Sequence, residues 1–183
     1  MPEDYKTTTK KPTYFVGGVP AGLFKIPLTP KNPHMPKNGP LVVIDEDVQE
    51  QKLICKALDE IRLKNRIQLC FSAEQALDFL ENTTEKPFLI LTKTALPGIS
   101  GLEFQAKVME TEHLRSRSVP LIFFSDTDAP NVVGRAYRMR AQGYFVMPKD
   151  FISLKLSLLC ITDYWQRAVH PSTVDHKLHD MLE

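Results

Sequence analysis

Five short apolar runs, separated by stretches of helical pattern, constrain the fold of this chain more than any other feature. They lie at residues 41–44, 67–71, 88–91, 119–124 and 143–147. Short continuous apolar runs are typical of strands that are buried on both faces of a sheet. Strands that alternate with helices need crossover connections, and such connections give a parallel sheet. We therefore predict an α/β fold with five parallel strands.

The stretches between the runs carry the spacing and the capping residues of helices. The pattern predicts helices over 48–63, 73–80, 101–110, 128–140 and 150–168. Ser72, Asp128 and Asp150 are expected to act as N-caps, because their side-chain oxygens can accept from the free N–H groups of a first turn. Pro130 suits the first turn of the fourth helix.

The order of the strands follows from the handedness of their connections. Right-handed crossovers favour the flavodoxin-like order 2-1-3-4-5, a (βα)5 three-layer sandwich. In such sheets ligands bind at the carboxyl ends of the strands. Functional residues are therefore expected at the ends of the first, third, fourth and fifth strands. The residues there are Asp45-Glu46-Asp47, Lys93, Ser125 and Met147-Pro148.

Residues 1–38 differ from the rest of the chain. Seven of the 14 prolines lie there, together with six lysines that are opposed only by Glu3 and Asp4. Proline at this density excludes helices and central strands. We predict an extended N-terminal arm, one α/β domain over 39–168 and a polar C-terminal tail over 169–183. The arm is either an unstructured leader or a segment that packs on its own domain or on a neighbour's. The second alternative arises because residues 14–26 are apolar enough to bind a surface.

Composition narrows the classes of function. The net charge of +1 gives no general electrostatic attraction to nucleic acid. The three cysteines (Cys55, Cys70 and Cys160) lie in apolar runs, as reduced thiols of a cytosolic protein do. No apolar run approaches the roughly 20 residues of a membrane span. We expect a soluble cytoplasmic protein without cofactor, metal or membrane partner.

The strand-end residues resemble those of the response-regulator (CheY-like) receiver domain over roughly residues 40–168. They are the acidic pair Asp45-Glu46, the loop Leu96-Pro97-Gly98, Ser125 and Tyr144. The resemblance implies that the acidic pair binds Mg²⁺, that Ser125 contacts a phosphoryl group and that Tyr144 is a switch aromatic. The end of the last helix, Tyr164-Trp165 with Pro171 beyond, resembles the same region of small stand-alone receivers that partner phytochrome-type histidine kinases.

Two positions depart from that family's pattern. Lys93 stands where the resemblance implies the phospho-accepting aspartate, and Met147 where it implies a lysine joined to proline by a cis peptide bond. A carboxylate can attack phosphorus, whereas a protonated ammonium has no lone pair to offer. Lysine also supplies no oxygen ligand to Mg²⁺. We predict a degenerate pocket, a pseudo-receiver, in which Lys93 bridges to Asp45 or Glu46 in place of the metal.

The two departures have two explanations. In one explanation the changes are compensatory, because Met147 removes a second cation that Lys93 would repel. In the other, the two positions changed independently in a site that no longer functions. Thr92 and Thr94 are not expected to replace the acceptor, because strand alternation points them away from the pocket or into packing.

Two helices carry candidate surfaces for partners. The fourth predicted helix has Arg135, Arg138 and Arg140, which form either a solvated face or a partner face. The last helix is apolar around most of its circumference, so something beyond its own sheet is expected to cover it. The positions are Ile152, Leu154, Leu156, Leu158, Leu159, Ile161 and Trp165. We expect a homodimer through this helix.

The first functional hypothesis is a stand-alone receiver-like protein of two-component (phosphorelay) signalling. It is not an enzyme and acts by binding a histidine kinase or another receiver. The alternative is a ligand-binding or enzymatic protein on a flavodoxin-like fold, since a fold does not fix a function. A cofactor absorbance would favour the alternative. DNA binding through these arginines and the lysine-rich arm is a third hypothesis, opposed by the near-neutral charge and the missing helix-turn-helix pattern.

Overall fold

The computed structural model describes residues 37–169, in which five parallel strands form one sheet in the order β2-β1-β3-β4-β5. The strands are β1 (Leu41–Ile44), β2 (Ile67–Cys70), β3 (Leu89–Thr92), β4 (Leu121–Ser125) and β5 (Gly143–Val146). The helices are α1 (Val48–Glu60), α2 (Ala73–Asn82), α3 (Gly101–Glu110), α4 (Glu112–Ser116), α5 (Pro130–Arg138) and α6 (Phe151–Arg167). The predicted class and strand order are confirmed.

The register of the sheet brings the strand ends to one edge. Ile44, the last residue of β1, lies beside Cys70 of β2 and Thr92 of β3. Ser125 at the end of β4 lies beside Val146 at the end of β5. The loops that follow β1, β3 and β4 therefore leave the sheet as neighbours, and this placement positions the site described below.

Alternating side chains of the strands fill two separate cores. Val43 and Leu91 point to one face of the sheet, where they pack with buried residues of α1 and α6 such as Leu158. Val42 and Phe123 point to the other face and pack with Phe104 and other residues of α2 and α3. Helices on both faces of a parallel sheet give the three-layer sandwich that the sequence predicted.

Some local predictions were wrong. Helix α4 was not predicted; no side chain caps its N-terminus. The N-cap of α5 is Ala129 rather than Asp128, and its backbone N–H donates instead to the Thr127 hydroxyl. Helix α1 ends at Glu60 rather than near 63, because Arg62 adopts a left-handed backbone with φ of 58°.

The predicted arm and tail lie outside the described residues, apart from positions 37, 38 and 169. Within the described part of the chain, no helix has the length and apolarity needed to cross a bilayer.

Candidate functional site

Lys93 leaves the end of β3 at the centre of the strand edge. Its backbone N–H donates to the carbonyl of Ile44, 3.3 Å away, which ties the loop to β1. Helix α3 begins so close beneath it that a Cβ on Gly101 would lie 1.8 Å from the Lys93 carbonyl oxygen. Glycine is therefore required at 101. The preceding turn uses Gly98 at φ 72°, and the next N–H, that of Ile99, donates to Glu74 of α2.

The ammonium of Lys93 is buried among three carboxylates. Its Nζ lies 3.3 Å from Asp45 Oδ1 and 3.2 Å from Asp126 Oδ2, and it also pairs with Glu50 Oε2. The Lys93 side chain is 8% exposed and that of Asp45 is 3% exposed. Asp45 follows β1, Glu50 lies in the first turn of α1 and Asp126 follows β4. One cation therefore joins three segments of the chain.

The charges in this cluster shift each other's titration. Burial disfavours the Lys93 ammonium, but its bonds to Glu50, Asp45 and Asp126 outweigh that effect and raise the pKa of Lys93 above its usual value. Burial raises the pKa of Asp45 to about 6, although the Asp47 N–H and Lys93 oppose the shift. The two shifts therefore have different causes: the surrounding carboxylates hold the proton on Lys93, whereas burial favours the neutral form of Asp45.

The cluster does not fit the Mg²⁺ ion that the family resemblance implies. Magnesium needs a near-octahedral shell of oxygen ligands at about 2.0–2.1 Å. Lys93 places a protonated nitrogen against Asp45, at the point where the oxygens converge. Its positive charge would repel the ion, and it offers no lone pair. Among residues 37–169 no group of acidic, His or Cys side chains is arranged to hold a metal.

Ser125 is bonded within the chain. Its Oγ lies 2.6 Å from Thr94 Oγ1 and accepts from the Thr94 N–H at 3.3 Å, and both residues are buried. Thr92 is buried too, and its hydroxyl donates to the Lys93 carbonyl. Of the two places expected for Thr94, away from the pocket or in packing, the structure has the second: the turn after β3 buries it against Ser125. The Ser125 hydroxyl is therefore engaged beside the Lys93 cluster.

Tyr144 is held in one position by two contacts. Its hydroxyl donates to the carbonyl of Thr127 at 2.7 Å. Its ring packs on Phe123, with centroids 5.9 Å apart. Thr127 directly follows Asp126, the exposed partner of Lys93. The loop between β4 and α5 thus connects the ion cluster to the aromatic ring on β5.

Met147 belongs to the core rather than to the pocket. It is buried in the cluster that lies between the sheet and α6, and its N–H donates to the Ser125 carbonyl at 2.9 Å. The Met147–Pro148 peptide bond is trans, not cis as the resemblance implied. An apolar side chain at 147 therefore continues the hydrophobic packing of the last helix.

Sequence reasoning gave an incomplete set of partners for Lys93. Glu46, named as a possible partner, is exposed and makes no ion pair with Lys93. Glu50 and Asp126 do pair with it and were not identified. The available signal for Glu50 was its place in the first turn of α1, three residues after the N-cap Asp47, at the strand edge. The available signal for Asp126 was its place directly after Ser125, the last residue of β4.

A family model described as "Response regulator receiver domain" matches residues 41–158. The rice protein "Two-component response regulator-like PRR37" (Oryza sativa subsp. indica) is 29% identical over 77 residues, which are 42% of this chain and 10% of the rice protein. "Methanogenesis regulatory protein FilR1" of Methanothrix harundinacea (strain 6Ac) is 23% identical over 112 residues, or 61% of this chain and 24% of that protein. The chain therefore spans less than a quarter of the length of these relatives.

Solved structures share the fold at low identity. The phosphorylated cyanobacterial phytochrome response regulator RcpA is 19% identical with a TM-score of 0.66, over 73% of this chain and 98% of that one. The response regulator RPA3017, described as acting in red light signaling of R. palustris, is 19% identical with a TM-score of 0.64, over 73% of this chain and 99% of that one. A receiver domain from Rhodospirillum rubrum is 22% identical with a TM-score of 0.63, over 74% of this chain and 99% of that one.

Proposed function

Because this chain belongs to the response regulator receiver domain family, we propose that it is a signalling protein of a two-component pathway that does not accept a phosphoryl group. It acts by binding a protein partner, a histidine kinase or another receiver, and it catalyses no reaction of its own. The chemistry of position 93 is the main support for this proposal.

The single observation that carries the proposal is the pairing of Lys93 with Asp45, Glu50 and Asp126. Phosphoryl transfer to a receiver needs a carboxylate nucleophile and a bound divalent cation. Lys93 removes the first and opposes the second. The raised pKa of Lys93 keeps its nitrogen protonated, and a protonated amine is not a nucleophile.

The same contacts favour one fixed arrangement of the signalling elements. Lys93 anchors Asp126, and the neighbouring Thr127 carbonyl accepts from Tyr144. Thr94 engages Ser125. In the proposed function these groups hold the loop between β4 and α5 in a constant position, so the partner meets the same surface at all times.

The decisive experiment is phosphotransfer followed by intact-protein mass spectrometry. The purified chain is incubated with acetyl phosphate and Mg²⁺, and we expect no gain of a phosphoryl group. A stoichiometric mass gain on the unaltered chain would overturn the proposal.

A variant with both departures reversed provides the matched control. In Lys93→Asp/Met147→Lys, a carboxylate replaces the ammonium beside Asp45, so we expect the variant to bind Mg²⁺ in a titration that leaves the unaltered chain unchanged. Because Met147 is buried in the core, the single variant Lys93→Asp is measured as well, and circular dichroism checks that both are folded.

We further infer that the chain forms a homodimer through α6. Helix α6 buries Leu154, Leu158, Ile161 and Trp165 in its own domain, and yet Ile152, Leu156 and Leu159 are 68%, 53% and 44% exposed. These three recur at intervals of four and three residues, so they form one stripe on the outer face of the helix. Helices pack through stripes of this spacing, and a second copy would offer the same stripe.

The dimer is tested by sedimentation velocity on the full chain. Leu156→Glu places a charge in the middle of the stripe and is expected to convert a dimer into a monomer. The equally exposed Tyr164→Glu, which lies off the stripe, is the control and should leave the dimer intact. A chain that sediments as a monomer at all concentrations, or a Leu156→Glu variant that stays dimeric, would contradict the dimer without affecting the phosphotransfer proposal.

A further inference from the structure

Strand β2 forms one edge of the sheet, so part of its backbone faces away from the other strands. The order of the sheet gives β2 a single neighbour, β1. The carbonyls of Arg66 and Cys70 accept from N–H groups at the start of β1 and just beyond its end, at 2.8 and 3.1 Å. Successive residues of a parallel strand direct their N–H and C=O groups to alternate sides. The backbone groups of Ile67 and Leu69 therefore point outward from the sheet.

Two glutamine side chains bond this edge but leave part of it open. Gln68 Nε2 donates to the Leu69 carbonyl at 3.2 Å, and Gln75 Oε1 accepts from the Phe71 N–H at 2.8 Å. Each glutamine places an amide where the amide of an added strand would bond. Within residues 37–169, the N–H and C=O of Ile67 and the N–H of Leu69 have no partner across the open edge.

Strand β2 lacks the features that commonly prevent an edge from pairing. These features are proline, charged side chains, bulges and a shortened strand. The segment Ile67–Cys70 has no proline and no charged side chain. It is four residues long, as β1 is, and all four pair with β1 in one continuous register. The edge is therefore able to accept a further strand.

A groove of about 500 Å³ lies between this edge and α2. Gln68, Leu69 and Cys70 line it from β2, and Asp78 and Phe79 are among the residues that line it from α2. A cleft of this size can hold the side chains of a short bound segment. The open backbone groups of β2 and a space for side chains thus occur side by side.

Helix α2 and the loop after it give the groove a negative border. Residues 72–85 contain four acidic side chains, all exposed, and no Lys or Arg. Glu85 pairs with Arg66. Asp78, which lines the groove, accepts from the neutral amide of Asn82 at 3.0 Å. Neither Asp78 nor Glu81 makes an ion pair within residues 37–169.

We propose that this edge binds an extended cationic segment of a partner protein, which adds to the sheet as a strand beside β2. The inference goes beyond the proposed function, because it involves neither Lys93 nor α6. Main-chain hydrogen bonds to β2 would hold the segment, and its side chains would give specificity. Those side chains alternate between the two faces of the sheet. Cations on one face would meet the acidic border of α2, and apolar residues on the other would lie beside Ile67 and Leu69, which pack on the core next to α1.

The charge of α2 favours this occupant over two others. A second copy that paired antiparallel through the same edge would place its own acidic α2 beside this one, and like charges across an interface oppose binding. Nucleic acid would bring phosphates against the same carboxylates, whereas its binding depends on cations. A cationic strand instead neutralises carboxylates that lack an ion-pair partner.

The chemistry of the partner is tested with a nonapeptide of alternating lysine and valine. The peptide is labelled with fluorescein and titrated with the full chain in an anisotropy assay. A matched probe carries glutamate in place of every lysine. We expect saturable binding of the lysine peptide and binding of the glutamate peptide that is weaker by roughly tenfold or more. No binding of the lysine peptide, or equal binding of the two, would overturn the proposal.

Backbone methylation of the peptide separates strand pairing from charge attraction. Two further forms of the lysine peptide carry N-methyl groups on all lysines or on all valines, so their charge is unchanged. Alternate N–H groups of a strand point to the same side, so one form loses the donors that face β2 and the other keeps them. We expect the first to bind weaker by roughly tenfold and the second to stay within about threefold of the parent peptide. Equal affinities of the two forms would refute the addition of a strand.

Amide hydrogen exchange, followed by NMR on the full chain, locates the pairing. In the free chain the outward amides of Ile67 and Leu69 should exchange faster than those of Gln68 and Cys70, which face β1. Saturation with the lysine peptide should slow the outward amides by roughly tenfold or more and leave the inward ones within about twofold. Outward amides that are already as slow as the inward ones, or that the peptide does not slow, would mean that the edge is not the binding site.

A charge-matched pair of variants tests the negative border. Asp78→Asn/Glu81→Gln is expected to weaken binding of the lysine peptide by roughly fivefold, since two exposed charge pairs with the peptide are lost. Asp59→Asn/Glu110→Gln removes two exposed carboxylates on α1 and α3 and should change binding by less than about twofold. Equal losses in the two variants would overturn the assignment to α2. None of these measurements involves phosphotransfer or sedimentation, so their failure is distinguishable from a failure of the proposed function.

Discussion

The strand-end pocket and the outer face of α5 treat their polar groups in opposite ways. In the pocket, Lys93 pairs with three carboxylates, Ser125 bonds Thr94 and Tyr144 bonds Thr127. On α5, Arg135 and Arg138 make no ion pair within residues 37–169. Groups that satisfy one another stabilise a conformation, whereas exposed unpaired groups can bind another molecule. The comparison teaches that the strand-end polar groups satisfy one another within the domain, whereas the arginines of α5 keep donors that face solvent.

The largest effect that would sharpen this contrast comes from removing the ammonium. Lys93→Met leaves the buried carboxylate of Asp45 without its cation, beside Glu50 and the exposed Asp126. The free energy of unfolding should fall by about 3–5 kcal/mol, as for one partner lost from a buried ion pair. Urea denaturation at neutral pH measures the change. Lys155→Met, which breaks the half-exposed pair with Glu60, is the control and should lower it by less than about 1 kcal/mol.

If the two lysine variants lost similar stability, the pocket would be no more structural than the surface, and the contrast would be broken. Added Mg²⁺ gives a further check. It should stabilise Lys93→Met, which exposes three carboxylates to the ion, and have no comparable effect on Lys155→Met.

A smaller effect should appear in the pH dependence of the free energy of unfolding. The folded-state pKa of Asp45 is raised from 3.8 to about 6, so the folded state holds its proton more tightly than the unfolded state does. The stability that this group contributes is complete below pH 3.8 and falls as the pH rises to about 6. The asparagine of Asp45→Asn is neutral at every pH, so this variant does not lose stability through that titration.

The stability of Asp45→Asn relative to the unaltered chain should therefore increase by roughly 1–2 kcal/mol across that window, after allowance for solvent screening. Denaturant titrations at several pH values from 3.5 to 7.5 or so measure this difference. A difference that stays constant with pH would mean that burial does not raise the pKa of the Asp45 carboxyl.

The smallest expected effect concerns the aromatic ring. Tyr144→Phe deletes the hydrogen bond to Thr127 but keeps the contact with Phe123, so the free energy of unfolding should fall by about 1 kcal/mol. Tyr137→Phe on the outer face of α5 is the matched control and should be within about 0.5 kcal/mol of the unaltered chain. Equal effects of the two substitutions would place Tyr144 among the surface groups.

Much of the fold could be predicted because it depends on patterns that are local in sequence. The apolar runs predicted all five strands, the right-handed connections predicted their order, and the limits of α3 matched those predicted. Helix α4 was missed because residues 112–116 form a single short turn without a capping side chain. The N-cap of α5 was misplaced by one residue because the helix begins after Ala129, whose own N–H donates to Thr127, and no side chain caps the first turn.

The site was less predictable because it depends on contacts between distant residues. The strand-end rule brought Asp45 and Lys93 to one edge, as the register of β1 and β3 requires. Which carboxylates pair with Lys93, however, depends on how far each side chain reaches across the loops. Sequence spacing does not reveal that Glu50 of α1 turns inward, that Glu46 turns to solvent, or that Thr94 folds onto Ser125.

The meeting of three carboxylates at one nitrogen has a kinetic consequence. The segment from the end of β1 to the start of α1 and the loop after β4 are far apart in sequence, yet neither can open fully without giving up a bond to the same atom. Amide hydrogen exchange near positions 50 and 126 should therefore accelerate together when the lysine is replaced. Two unrelated stretches of backbone would then behave as one cooperative unit because a single side chain couples their opening.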